Sequence, residues 1–132
     1  MKSALSALAS ALALASGPND AWVRQSGTTF TVDQSIVQRG ERNVARADES
    51  GQVNGSTIVQ TGNENLASAT STLNGSVSEI IQTGSDNRAS AMQIGALFWT
   101  TGNFSRIRQT GNALRAKVLQ NGSGNFSIID QR

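Results

Sequence analysis

Five glutamines share one capacity for chemistry. Gln38, Gln60, Gln82, Gln109 and Gln131 each carry an amide that donates and accepts hydrogen bonds at once. The first three open Gln-x-Gly triplets at intervals of 22 residues, closed by Gly40, Gly62 and Gly84. A fourth triplet, Gln109-Thr110-Gly111, follows 27 residues after Gln82 and so carries five extra residues. Asn43, Asn65 and Asn87 recur three places after the first three glycines, and Ala45, Ala67 and Ala89 two places further on. In the fourth copy Leu114 stands at the Asn place and Ala116 follows. Amides repeated at a fixed spacing can stack and bond along one axis, each donating to the next. That is the chemistry of cohesion rather than of turnover.

Catalytic chemistry has little to work with. The 132-residue chain has no Cys and no His. Disulfides, thiol nucleophiles, the usual zinc ligand sets and histidine acid–base catalysis are therefore excluded. The carboxylates Asp33, Glu41, Asp48, Glu49, Glu64, Glu79 and Asp86 fall at differing repeat positions, so no pair recurs at an acid–base spacing. No enzyme, metal or cofactor is expected. A formal charge of +2 with no basic-aromatic stripe points away from nucleic acid, despite a pI near 9.9.

These amides need elements that hold them in line. Ahead of each Gln runs an alternating stretch: Ser56-x-Ile58-x-Gln60, Ser78-x-Ile80-x-Gln82, Ser105-x-Ile107-x-Gln109 and Ser127-x-Ile129-x-Gln131. The theme returns eleven residues later, best in Ala89-x-Ala91-x-Gln93-x-Gly95 and Ala116-x-Val118-x-Gln120-x-Gly122. Ala45-x-Ala47-x-Glu49 and Ala67-x-Ala69-x-Ser71 are degenerate versions. A period of two means strands. Glycine permits positive φ at the corners, including Gly111 and Gly122, and a neighbouring Asn tolerates the same region. The unit is strand–turn–strand–turn, returning the chain one layer higher, by about 4.8 Å. The expected fold is all-β: a narrow parallel β-solenoid of four to five rungs, about 22 residues each, with amyloid-like cross-β stacking. Ser56, Ile58, Gln60, Asn65, Ala67 and Ala69 share its inward face, making a core one side chain thick.

The solenoid is expected over 32–132, with an insertion near 96–101. That insertion holds Ala96-Leu97-Phe98-Trp99, read either as a bulged corner or as a lateral contact. Residues 1–15 read as a signal peptide: Lys2, an Ala/Leu run, then small residues at Ala13 and Ala15 ahead of Ser16. Residues 16–31 form an N-terminal segment. No apolar run reaches the ~18 residues of a membrane span, so no transmembrane segment is expected. Export without cysteine suggests a surface or extracellular product.

The repeat resembles that of the curlin family, the subunits of bacterial curli, whose unit reads Ser-x5-Gln-x-Gly-x-Gly-Asn-x-Ala-x3-Gln. The best match is Ser76, Gln82, Gly84, Asn87, Ala89 and Gln93, with Asp86 in place of the second Gly. Only Gln120-Asn121-Gly122-Ser123-Gly124-Asn125 has the full Gly-x-Gly-Asn corner. The resemblance covers about residues 32–132. It implies a secreted subunit of an extracellular amyloid fibre, a fimbrium or pilus at the bacterial cell surface, serving biofilm formation and cell adhesion. It also implies a dedicated outer-membrane secretion pore and a second curlin subunit as partners. In such a fibre the assembly ladders would be Gln38, Gln60, Gln82, Gln109 and Gln131, with Asn43, Asn65, Asn87 and Asn125.

Polymerisation has its own logic. A solenoid end is a row of unpaired donors and acceptors, and head-to-tail addition across such ends grows an open filament. Ser127–Arg132 reads as one more strand with no helical cap. Charge divides along the chain: from Ser16 to Asn87 the balance is −4, and from Arg88 onward it is +5. Opposite ends would steer addition in a salt-dependent way. Alternatively Arg106, Arg108, Arg115 and Lys117 are solvated outer positions, or dock on an anionic cell surface as suits a minor nucleator subunit. A monomeric solenoid that binds ice or another surface is the remaining rival. Its outward rows, Thr57-x-Val59-x-Thr61 against Arg106-x-Arg108-x-Thr110, are irregular for that task.

Overall fold

Strict alternation produces strands throughout. The computed structural model describes residues 8–14, 18–26, 32–72, 74–95 and 102–132. These form β1 (Leu8–Leu14), β2 (Asp20–Ser26), β3 (Val32–Arg39), β4 (Val44–Ser50), β5 (Asn54–Thr61), β6 (Leu66–Thr72), β7 (Val77–Thr83), β8 (Arg88–Ile94), β9 (Phe104–Thr110), β10 (Arg115–Asn121) and β11 (Phe126–Gln131). The odd strands make one six-stranded sheet in the order β1-β3-β5-β7-β9-β11. The even strands make a second sheet of five, from β2 through β4, β6 and β8 to β10. Every pairing is parallel, and the chain crosses between sheets at each corner. From β2 to β11 this is a β-solenoid of four full turns with a half-turn at either end. The expected fold class is the observed one.

Register follows the repeat. Ile58 pairs with Ile36 and Ile80, and Gln60 with Gln38 and Gln82. The core lies between the sheets. Ile36, Ile58, Ile80 and Ile107 have no exposed surface, and they face Ala45, Ala47, Ala67, Ala69, Ala89, Ala91 and Val118. Large residues on one sheet against small ones on the other keep the two backbones close, so the core is a single layer of side chains. The corner glycines serve the same closeness. A Cβ built at Gly62, where φ is +117°, would stand 2.0 Å from the carbonyl oxygen of Gly84 in the next turn. Only glycine fits where backbones approach so nearly.

Strands extend further toward the N-terminus than the repeat pattern predicts. The solenoid begins before residue 32: Asp20–Ser26, read as part of an N-terminal segment, is β2 and pairs with β4 from Asp20↔Val44 to Ser26↔Ser50. Its Asn19-x-Ala21-x-Val23 run repeats the inward pattern of Asn43-x-Ala45-x-Ala47, so it closes the end of the even sheet as a half-turn. Residues 8–14, inside the stretch read as a signal peptide, are β1, the outer neighbour of β3. The insertion at 96–101 lies outside the described residues. Register on both sides of it is unbroken, since Ser78 pairs with Ser105 and Ala89 with Ala116.

Candidate functional site

The inward amides form continuous ladders. In the odd sheet Gln38 Nε2 donates to Gln60 Oε1, Gln60 to Gln82, Gln82 to Gln109 and Gln109 to Gln131, each at 2.9 Å. The second Nε2 hydrogen goes to a backbone carbonyl of the facing sheet. The acceptors are Asp20 for Gln38, Val44 for Gln60 and Leu66 for Gln82. Gln131 likewise donates to the Arg115 carbonyl at 3.1 Å. One amide thus joins two turns and both sheets. Burying it costs little, because its hydrogen-bonding groups are used.

The ladder has a direction, from Nε2 of one turn to Oε1 of the next. At the β3 end, Gln38 Oε1 is buried and has no hydrogen-bond partner. Gln131 sits in the other edge strand, β11, with its carbonyl used by Gln109 and one hydrogen used by Arg115.

Asparagines hold the first corner. Asn43 Oδ1 accepts from the backbone N–H of Asn65, and Asn65 Oδ1 from that of Asn87, each at 3.1 Å. Their Nδ2 groups donate across to the Gly62, Gly84 and Gly111 carbonyls at 2.8 Å. Asn19 extends the column below: it accepts from Asn43 N at 2.9 Å and donates to Gly40 O at 3.0 Å. Leu114 ends it above, its N–H bonded to Asn87 Oδ1 at 3.0 Å with no amide to pass on. Gly40, Gly62, Gly84, Gly111 and Gly122 all adopt positive φ, as their corner places require. Arg42, Glu64, Asp86 and Ala113 also do so, at φ 54–59°. These last occupy the place of the second glycine in the repeat.

Asn125 belongs elsewhere. It stacks at the second corner, where its N and Nδ2 both donate to Asn103 Oδ1 at 3.1 Å. The same corner holds Ser76, whose N–H donates to Asn54 Oδ1 at 3.0 Å. Because Ser76 interrupts the asparagines Asn54, Asn103 and Asn125, the repeat of identical residues does not display this column. A second glutamine ladder runs in the even sheet, Gln93 Nε2 donating to Gln120 Oε1 at 2.9 Å. Ser78 and Ser105 bond into it at 2.9 and 3.2 Å. At Glu49, which stands in that column, Oε1 accepts from Ser56 at 2.5 Å.

Buried Glu49 apart, the charges that pair or cluster lie outward. Arg106 meets Glu79 at 2.6 Å across two turns, and Arg42 pairs with Glu64. Arg88 and Arg115 are register partners on the outer face of β8 and β10, with Lys117 close by, and form a basic patch. Phe104 and Phe126 stack with ring centres 5.2 Å apart. Among the described residues no cluster of acidic groups could hold a metal ion, and no helix is long and apolar enough to cross a membrane.

Fold and ladders together define a parallel β-solenoid stitched along its axis by inward amides. No protein-family model, no curated protein and no solved structure matches this chain.

Proposed function

We propose that this protein is a structural subunit of an extracellular, curli-like amyloid fibre, secreted to the bacterial surface, where head-to-tail assembly supports biofilm formation and adhesion. One observation carries the reading. The inward Ile and Gln columns keep their register through every turn and emerge at the edge strand β11 as Ile129 and Gln131. An edge that repeats the interior accepts a further turn as readily as the interior does. Resemblance to the curlin repeat supports secretion, a dedicated pore and a partner subunit.

The second reading is a minor nucleator that templates the fibre. It is favoured by the break in the asparagine column at Leu114 and by the basic outer face of Arg88, Arg115 and Lys117, which suits an anionic surface. A monomeric surface binder fits less well. Outward residues along one column change from Thr57 to Glu79 to Arg106, which is no regular binding array.

The test is a thioflavin-T time course on chain diluted from denaturant into low-salt buffer. Self-assembly whose lag is abolished by preformed fibres supports the subunit reading. Growth of a different curlin-type subunit on substoichiometric amounts of this chain, which itself stays unpolymerised, favours the nucleator. A β-rich monomer that persists for days and seeds nothing overturns both.

A further inference from the structure

The two sheets are unequal, and the inequality sits at one end. The odd sheet has six strands and the even sheet five; the surplus strand is β1, on the outer edge of β3. Stacking one copy on another continues the chain path only if β2 of the second lies on β10 of the first, and β3 on β11. With β1 in place that path cannot close, because β1 occupies the layer that β11 must take and the even sheet would gain a gap. Without β1 each copy presents five strands per sheet, and copies tile without a gap.

The edge under β1 also has an unanswered group. Gln38 Oε1 is buried without a hydrogen-bond partner. At the far end Gln131 Nε2 has one hydrogen committed, to the Arg115 carbonyl. Its second hydrogen is the one that every glutamine before it in the ladder sends to the next Oε1.

We infer that β3 is the acceptor edge for β11 of a second copy of this chain, which replaces β1 there while β10 seats on β2. This rests on the fibre reading and specifies its joint. Continuing the register sets Gln131 on Gln38, Ile129 on Ile36 and Val118 on Val23. Outside, it sets Arg115 on Asp20 and Lys117 on Trp22, a residue 70% exposed. The first is an opposite-charge pair, the second a cation over an aromatic face. The incoming strand therefore brings an isoleucine, an amide donor and two charge contacts to an edge where β1 leaves the ladder open. Residues 8–14 act as a provisional cover for the edge, lost on removal of a leader or displaced by β11.

Thiol cross-linking of the full chain tests this directly, since it has no native cysteine. A chain carrying both Asp20→Cys and Arg115→Cys has its thiols four layers apart within one copy, roughly 19 Å. Across the joint they are neighbours within disulfide reach. Oxidised polymer should run as a covalent series of dimer, trimer and higher species. The register-shifted pair Asp20→Cys with Lys117→Cys should yield at most a tenth as much. In parallel, Asp20→Arg or Arg115→Glu alone should slow seeded growth at least ten-fold, and the two together in one chain should restore it. Polymer that cross-links equally in the shifted register, or ignores both reversals, overturns the joint and leaves the fibre reading standing. Wild-type chain that never polymerises overturns both.

Discussion

Gln60 donates one Nε2 hydrogen to Gln82 Oε1 at 2.9 Å and the other to the Val44 carbonyl at 3.0 Å. That single side chain binds its turn to the next and one sheet to the other. The same arrangement recurs at Gln82, which joins Gln109 and Leu66. Amides are thus to this solenoid what a thick apolar core is to a larger domain. Replacing Gln82 with Leu strands a donor on Gln60 and an acceptor on Gln109, both fully buried, and leaves the Leu66 carbonyl without its Gln82 donor. The expected loss is about 3 kcal/mol or more, since each orphaned buried group costs ~1–3 kcal/mol. Denaturant midpoints of Gln82→Leu and wild type check it.

Corner glycines are not equivalent. At Gly62 an added methyl would sit 2.0 Å from the Gly84 carbonyl oxygen; at Gly122 the nearest atom is Asn125 Nδ2, at 3.9 Å. Both adopt positive φ. Gly122→Ala should cost only the backbone strain, about 1–2 kcal/mol. Gly62→Ala should cost substantially more, through overpacking against backbone that cannot yield. Thermal unfolding of the two variants side by side measures the difference.

Val53 at φ 56° and Ala113 at φ 58° carry side chains in a region that glycine occupies without strain. For β-branched Val53 this is a true outlier. Val53→Gly should stabilise by about 1 kcal/mol, and Ala113→Gly by somewhat less, the gain being trimmed by the greater freedom of glycine in the unfolded chain. A rise in the urea midpoint without a change in slope is the expected signature.

Leu114 stops a column that Asn19, Asn43, Asn65 and Asn87 otherwise maintain. Leu114→Asn would supply an Oδ1 acceptor at the edge beside β10. Seeded growth should accelerate several-fold while the stability of the unassembled chain changes little. Growth curves at matched seed concentration read this out.

If copies add head to tail, charge steering should make growth sensitive to salt. The two halves of the chain carry opposite balances, and exposed charges more than ~8 Å apart are screened at physiological ionic strength. Elongation should therefore slow as sodium chloride rises from 10 to 500 mM, before high salt begins to favour apolar burial. Initial seeded rates across that series test it.

The solenoid was legible because Ser56-x-Ile58-x-Gln60 and its copies combine a period of two with near-identity at each inward place. Where identity fails, legibility fails with it. The half-turn at β2 is hidden in the sequence because Asn19 precedes Asn43 by 24 residues rather than 22, and because the next two turns carry Glu49 and Ser71 where the later turns have Gln93 and Gln120. The second-corner column escaped notice because Ser76 stands between Asn54 and Asn103. The positive φ of Arg42, Glu64 and Asp86 leaves no mark in composition, since the strain is imposed by stacking with neighbours rather than by local preference. Ladder direction exists only once the amides have been oriented.

Mass per unit length of the unstained fibre tests the central claim most directly. Five layers per copy occupy about 24 Å along the axis at ~4.8 Å per layer. A fibre of head-to-tail solenoids therefore carries one 13.8 kDa chain, or slightly less after loss of a leader, per ~24 Å. That value, together with a 4.8 Å axial reflection, is the predicted result. One chain per ~4.8 Å would mean that whole chains stack flat in register, and would contradict the account.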